Sequence, residues 1–534
     1  MIRYDPLEYP YASQRKMVYA KNGMVGTSQP LAAQAGLETL KEGGNAVDAA
    51  IATASCLTVL EPTSNGLGGD AFVLFWKDGK LHGLNSSGPA PKNISIDAVK
   101  DRGYDEMPKT GIIPVTVPGI PGAWAELSKK HGKLGFEKVL EPAIKYAEEG
   151  YPISPIVGKY WNYAYKSYKK LEGEEFEHWF DTFAPDGRPP KIGETWMSPD
   201  HAETLRSIAE TRSKSFYKGE IADKIDEFSK NYDGFLSKKD LSSFSPEWVE
   251  PLSINYRGYD VWELPPNGQG MIALMALNIL KGFDFDEKDS IETYHKQMEA
   301  LKLAFSDGKK HITDPEHMDV SFKELLSEDY AAERREMIDE KAIEPEPGKL
   351  RDSGTVYLTT ADKDGNMVSY IQSNYMGFGS GLVVPNTGIA LQNRGHTFSL
   401  DPNEANCLEA KKRTYHTIIP GFLTENEYPI GPFGVMGGYM QPQGHMQILM
   451  NSIDFDLNPQ AALDAPRWRW ESGKKVHLEH SFPKHIAEQL SGKGHALNYS
   501  LHSGGFGRGQ IIWKKDDVYA GGTEPRADGQ VVGW

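Results

Sequence analysis

Asp352-Ser353-Gly354-Thr355-Val356-Tyr357, followed by Asp362-Lys363-Asp364-Gly365-Asn366-Met367-Val368-Ser369, decides the reading of this chain. The pattern predicts a β-strand, a tight turn around Asp-Gly-Asn and a second strand. Thr355 lies far from either end of the sequence. If the backbone were cut in front of it, one residue would hold a hydroxyl nucleophile and a free α-amine to activate it, a known pairing for covalent catalysis. The cut needs the Thr355 hydroxyl to attack the carbonyl carbon of Gly354. An acyl shift then gives an ester, which water opens. Glycine at 354 tolerates the strained backbone of such an attack. The products would be residues 1–354 and 355–534, and the new α-amine, with an ordinary pKa of about 7.7–8.0, is partly neutral base near pH 7.

Outward from this stretch, composition narrows the function classes. The 534 residues carry a formal net charge of -16, which leaves no surplus of cations to neutralise phosphates. Nucleic acid and anionic membranes are therefore not expected partners. Hydrophobic residues at 39% and charged residues at 25% suit a soluble globular protein. Two cysteines, Cys56 and Cys407, support neither a disulfide framework nor a thiolate metal cluster. Cys56 sits in an apolar run and is expected to pack as a small hydrophobe. Residues 1–10 have no apolar core of a secretory signal, and the longest apolar stretch, about 49–60, is too short to span a bilayer. The expectation is a cytoplasmic protein.

Local pattern predicts a helix over 29–40 with Pro30 in its first turn, a stop at Gly43-Gly44, and a second helix over 46–60. Residues 71–84 read as a hairpin around Asp78-Gly79, 124–235 as mainly helical, 261–266 as a short strand and 271–280 as an apolar helix. The charged, Pro-rich stretch 341–353 reads as exposed and mobile, directly before the suspected scissile bond. After Thr355 the chain reads as strand-rich. Helices and strands in each half suit a layered α+β architecture. Gly504-Gly505-Phe506-Gly507-Arg508-Gly509 matches no dinucleotide fingerprint, and no Walker loop, HExxH or GxSxG elbow occurs. His477 and His480 are read as surface residues, so no metal and no cofactor is expected.

Further blocks accompany the nucleophile stretch in order along the chain: Gly43-Gly44-Asn45-Ala46-Val47-Asp48-Ala49-Ala50, Pro62-Thr63-Ser64-Asn65-Gly66-Leu67-Gly68-Gly69-Asp70, Phe378-Gly379-Ser380-Gly381, Asn386-Thr387-Gly388-Ile389-Ala390-Leu391-Gln392-Asn393 and Gly437-Gly438. Together they resemble the γ-glutamyltransferases (γ-glutamyltranspeptidases, glutathione hydrolases), which are N-terminal-nucleophile hydrolases. The resemblance implies a four-layer αββα sandwich, to which a large subunit 1–354 and a small subunit 355–534 both contribute after self-cleavage. It implies Thr355 as nucleophile and Gly437 and Gly438 as the oxyanion loop, where close-lying backbone N–H groups matter most. It places Ser373 at the hydroxyl that bonds the nucleophile, Tyr375 at the family's substrate Asn with Asn374 beside it, and Asn393 at a substrate-side contact.

The acyl-recognition set departs from the family. The carboxylate-gripping Arg falls near Ser87, the ammonium-pairing Asp falls at Thr397, and a Ser-Ser pair falls in a deletion around 411–417. Arg394, Arg413, His396 and His416 are local candidates for holding an anion. Met440-Gln441-Pro442-Gln443-Gly444-His445 resembles the cephalosporin-acylase-like branch, which makes Gln441 and His445 pocket-wall candidates. The expected partner is a small amide, either glutathione-like or an N-acyl amine, and the oligomeric state, a homo-oligomer included, stays open. Three functions remain: a γ-glutamyl amide hydrolase, an acylase for glutaryl or other N-acyl amines, and an unprocessed binding protein.

Overall fold

The computed structural model describes residues 11, 15–345 and 354–534; the expectations for 1–10 and for the 346–353 part of the linker lie outside the described residues. Two seven-stranded sheets stack face to face. In the first, the strand order is Gln530–Gly533, Gly23–Thr27, Gly354–Asp362, Met367–Tyr375, Asp70–Lys77, Lys80–Ser86 and Glu247–Val249. In the second it is Val18–Ala20, Val518–Thr523, Arg508–Lys515, Tyr428–Met436, Gly421–Glu425, Tyr259–Glu263 and Leu252–Tyr256. Neighbouring strands run antiparallel. Both sheets draw strands from both sides of the 354–355 bond, so the two parts share one core.

Alternation along a strand builds the layers. Phe72, Leu74 and Trp76 point between the sheets, where they meet Tyr357, Ile371, Phe422 and Ile512. Ala71, Val73 and Phe75 point the other way, into the cluster formed with the helix Ala46–Leu60. Burial on both faces explains why these strands are apolar throughout rather than alternating. The helices Gly270–Leu280, Ile291–His311 and Met440–Ile453 cover the second sheet. The result is the αββα sandwich, an α+β fold.

Helix starts follow local chemistry. Asn45 accepts bonds from Val47 and Asp48 N–H at 3.0 Å each, and Asp48 returns a bond to Asn45 N–H, a capping box for Ala46–Leu60. Cys56, on this helix, is fully buried and its thiol is pushed up by burial. The turn of the predicted hairpin is held by Asp362, whose carboxylate receives Asp364 and Asn366 N–H and reaches Ala46 N–H at 2.9 Å.

Two expectations change. The strand read over 261–266 is Tyr259–Glu263, since Pro265 and Pro266 cannot donate to a ladder. The part after Thr355 is strand-rich as expected, and it also holds the helices Met440–Ile453, Pro459–Asp464 and Lys484–Gly492. The stretch expected to be mobile from 341 is anchored at its start. Ala342 is buried, its N–H bonds Lys493 O at 2.8 Å, and Ile343 N–H bonds Glu299 Oε2 at 2.8 Å. Glu299 also takes Lys302 Nζ at 2.7 Å, and His295 bonds both Asp339 O and His495. This buried polar cluster fixes residues 339–343 in place.

Candidate active site

Gly354 lies opposite Tyr375 where the nucleophile strand begins, and the register shifts between Gly354 and Val356. Such an irregularity re-aims a side chain, and Thr355 is turned onto its own neighbour. Its Oγ1 lies 2.8 Å from Gly354 O and 3.2 Å from Ser373 Oγ. Ser373 Oγ donates to Gly354 O at 2.6 Å and accepts the Tyr375 N–H at 2.8 Å. With Ser373's proton on the carbonyl oxygen, Thr355 donates to Ser373, and the carbonyl is polarised next to the hydroxyl that would attack it. Tyr375 adopts φ +74°, a left-handed conformation uncommon for a bulky residue, at the point where the strand leaves this cluster.

The glycine block at 62–70 forms a wall behind it. A Cβ on Gly68 would lie 2.3 Å from Ala390 O, and one on Gly69 would lie 2.4 Å from Ser373 O and 2.5 Å from Asn374 Oδ1. Glycine is required because two backbones touch here. Asn65, in the same block, accepts Gln372 Nε2 at 2.7 Å and donates to Leu57 O and Glu61 O, locking the block to the strand that carries Ser373.

Gly437 and Gly438 have φ of +132° and +56°, and Gly437 lines a cavity of about 440 Å³ together with Gly354, Thr63 and Ser64. Gln269 braces this loop. It donates to Gly438 O at 2.9 Å and Thr417 O at 2.6 Å and accepts Tyr415 OH at 2.8 Å. In the sequence, Pro265-Pro266-Asn267-Gly268-Gln269-Gly270 reads only as a turn, which leaves Gln269 unmarked. No local signal singles it out, because its partners lie about 150 residues away.

The remaining candidates separate. Asn374 is buried with its amide against Gly66 and Gly69. Asn393 Oδ1 accepts Met376 N–H at 3.2 Å and its Nδ2 donates to Lys109 O at 2.7 Å, so it ties the strand end to a loop. Ser87 is buried and donates to Asn85 Oδ1 at 2.7 Å. Thr397 donates to Arg394 O at 2.8 Å and pairs with Thr414. Gln441 Oε1 accepts Ile419 N–H at 2.9 Å, and His445 Nδ1 bonds Glu263 at 2.6 Å beneath the second sheet. Of the anion candidates, Arg413 is engaged by Glu247 and Ser87 O, His396 by Met107 O, and His416 by Asp70 at 3.1 Å. Arg394 is fully buried, with its guanidinium 4.3 Å from the centre of the Tyr375 ring. Burial lowers it to about 10, against the pull of Asp70 and the tyrosines. The Asp70 carboxyl is pushed up to about 7 by burial, with the Arg394 charge opposing.

What the arrangement can do is acyl transfer to an internal hydroxyl, with a polarised carbonyl on one side and a glycine loop on the other. Comparison with known proteins agrees with it. Residues 32–534 match the family described as Gamma-glutamyltranspeptidase. The chain is 37% identical over 530 residues to the glutathione hydrolase-like YwrD proenzyme of Bacillus subtilis, covering 97% of this chain and 99% of that protein. It is 31% identical over 528 residues to the oxamate amidohydrolase proenzyme of Klebsiella pneumoniae, covering 96% and 98%. A crystal structure of cephalosporin acylase from Bacillus halodurans superposes with a TM-score of 0.96 at 64% identity, covering 100% of this chain and 99% of that one. The chain belongs to the gamma-glutamyltranspeptidase family and is an enzyme of the N-terminal-nucleophile hydrolase type.

Proposed function

We propose that the chain is a proenzyme that cuts itself between Gly354 and Thr355 and then hydrolyses a small amide through a Thr355 acyl-enzyme. The observation that carries this reading is the triangle of Thr355 Oγ1, Ser373 Oγ and Gly354 O, with sides of 3.2, 2.6 and 2.8 Å. Thr355 Oγ1 forms a bond to the Gly354 carbonyl carbon, and charge grows on the oxygen that Ser373 already contacts. The Gly354–Thr355 C–N bond breaks, the nitrogen takes a proton, and an ester remains on Oγ1. Water opens the ester to a Gly354 carboxylate and a free Thr355 hydroxyl. In the mature site the α-amine takes the hydroxyl proton as Oγ1 attacks the substrate amide. The amine product leaves, and water releases the acid. Backbone N–H groups of the Gly437-Gly438 loop are the donors for that second oxyanion.

The substrate is a γ-glutamyl amide of the glutathione kind, or a glutaryl-type N-acyl amine. The first reading is supported by the glutathione hydrolase-like relative, the second by the cephalosporin acylase at 64% identity. Hydrolysis is expected to outpace transfer to a peptide. Intact mass under denaturing conditions tests the reading for wild type and Thr355→Ala together. Two fragments meeting at 354/355 in the wild type alone support it. An uncut wild type points to a non-catalytic binding protein.

A further inference from the structure

The cavity beside Gly354 reverses the sign of the molecule. The chain carries a formal net charge of -16. Lys159, Arg469, Arg508, His477 and His502 nevertheless line this space of about 440 Å³, and no Asp or Glu among the described residues does. Arg508 is paired with Glu61 at 3.3 Å and lies 4.5 Å from the centre of the Tyr160 ring. One carboxylate just outside the cavity, Glu471, serves His477, Lys475 and Arg469 together. Lys159 lies over the rings of Tyr160 and Tyr163 at 6.0 Å each and has no ion-pair partner among the described residues. Positive charge is therefore in excess here, and a cleft lined by one sign of charge concentrates ions of the other.

The glycine-rich stretch 504–509, which matches no dinucleotide fingerprint, builds the floor of this cavity. A Cβ on Gly504 would lie 2.1 Å from Tyr160 OH, and one on Gly505 would lie 3.3 Å from Arg469 Nη1. Glycine lets the phenol and the guanidinium close on the backbone. Arg467 fixes the loop by donating to Phe506 O at 3.0 Å and Gly507 O at 3.1 Å. Gly507 packs in turn on Gly437, where a Cβ would meet Gly507 Cα at 3.1 Å. The cationic lining thus continues directly into the loop beside the nucleophile.

Two cavities flank that loop. Gly437 lines the cationic one together with Gly354, whose carbonyl oxygen lies 2.8 Å from Thr355 Oγ1. Tyr439 lines the other, of about 930 Å³, together with Thr397 and Tyr415. The acyl-side positions Ser87, Arg394 and Thr397 do not line the cationic cavity.

We propose that the cationic cavity is the subsite of the departing amine, and that it takes an amine bearing a carboxylate, held by Lys159 and Arg469. This rests on the acyl-enzyme reading above and adds to it the chemistry of the leaving group. Lys159 brings a movable ammonium at the rim, and Arg469 a planar guanidinium over the glycine floor.

The test compares p-nitroanilides with carboxy-p-nitroanilides, whose leaving ring bears a carboxylate. Both are run as γ-glutamyl and as glutaryl amides on wild type, Lys159→Gln, Arg469→Gln and the double variant, with self-cleavage checked by mass in each. The readout is the kcat/KM ratio of carboxylated to plain anilide. A merely structural loss lowers both rates and leaves the ratio unmoved. Wild type is expected to show a ratio of about 10, carried in KM, as for a charge-assisted hydrogen bond partly screened by water. Each single variant lowers the ratio, the double variant abolishes the preference, and high salt weakens it in wild type. A wild type that does not distinguish the two anilides, or a double variant that keeps the wild-type ratio, overturns the proposal. If Arg469→Gln fails to fold, Lys159→Gln decides alone, and an unchanged ratio overturns the proposal. If no anilide is turned over, binding of the free carboxylated nitroaniline to the intact chain is measured by calorimetry. Binding by wild type that Lys159→Gln weakens supports the subsite although the hydrolase reading has failed. No binding by wild type overturns the subsite as well.

Discussion

The two sides of the acyl bond contrast. On the nucleophile side, Thr355, Ser373, Gly354 and the Gly68-Gly69 wall lie within hydrogen-bond or van der Waals reach of one another. On the acyl side, the resemblance implies an Arg, an Asp and two Ser, and the chain offers Ser87, Thr397 and a shortened loop, with Arg394 standing buried nearby. Bond making tolerates little displacement, because attack and charge development occur at fixed atoms. Recognition of a substituent can be met by a cation approaching from another direction. The nucleophile side is therefore written in backbone contacts and glycines, and the acyl side in side chains that differ from those the resemblance implies.

The strongest way to break the nucleophile side is Thr355→Ala. Self-cleavage is expected to stop and amide hydrolysis to fall to background, read by denaturing mass and anilide release. Residual cleavage at 354/355 would remove Thr355 from the mechanism. Gly437→Ala comes next. At φ +132° an alanine is strained and pushes toward Gly507 Cα at 3.1 Å, which displaces the loop donors. A loss of ~10²–10³ in kcat with processing retained is expected; an unchanged kcat would place the oxyanion elsewhere.

A pH measurement sharpens the contrast through a buried histidine under the segment that leads to Asn393. The segment leading to Asn393 and Arg394 packs on the helix Pro199–Thr211, where Thr204 bonds Thr387 O at 2.8 Å and His201 underlies Gly388. Burial lowers His201 to about 4. Its contribution to stability is therefore fully present above its unfolded pKa of about 6.5 and is lost as pH falls through that value toward 4. The change amounts to about 3 kcal/mol at most. Denaturant titrations at pH 7 and pH 4 should show a steeper acid loss in wild type than in His201→Gln. Parallel pH slopes would exclude this histidine.

Smaller effects test the glycine wall and the Ser373 hydroxyl. Gly68→Ala forces a Cβ to 2.3 Å from Ala390 O and should cost about 1–3 kcal/mol of stability, as overpacking does. An unchanged urea midpoint would mean that the two backbones separate freely. Ser373→Ala removes one neutral hydrogen bond to the scissile carbonyl, worth about 1 kcal/mol, so processing should slow by roughly five- to tenfold. A time course by mass would show it, and cleavage at wild-type rate would reduce Ser373 to a packing residue.

Much of the nucleophile side is legible in the residue order. Asn45 with Asp48 marks a capped helix, Asp364-Gly365-Asn366 marks the nucleophile turn, and Gly354-Thr355 marks the bond at risk, because each is a local arrangement of a few neighbouring residues. The helix Met440–Ile453 is hidden from such a reading, since its start after Gly437-Gly438 carries no capping side chain. The anchoring of 339–343 is hidden too, since His295, Glu299 and His495 come from distant positions.

The amino-acid order alone determined the nucleophile stretch, the glycine blocks and the family they resemble, since these depend on residue type at short spacing. Only the tertiary structure decided that Gln269 braces the Gly437-Gly438 loop, that Asp70 is engaged by His416 and Gln392, and that Arg394 Nε and Nη2 lack a hydrogen-bond partner among the described residues. Whether a buried polar group is satisfied depends on which remote partners the fold brings within about 3 Å, and a linear sequence holds no such distance.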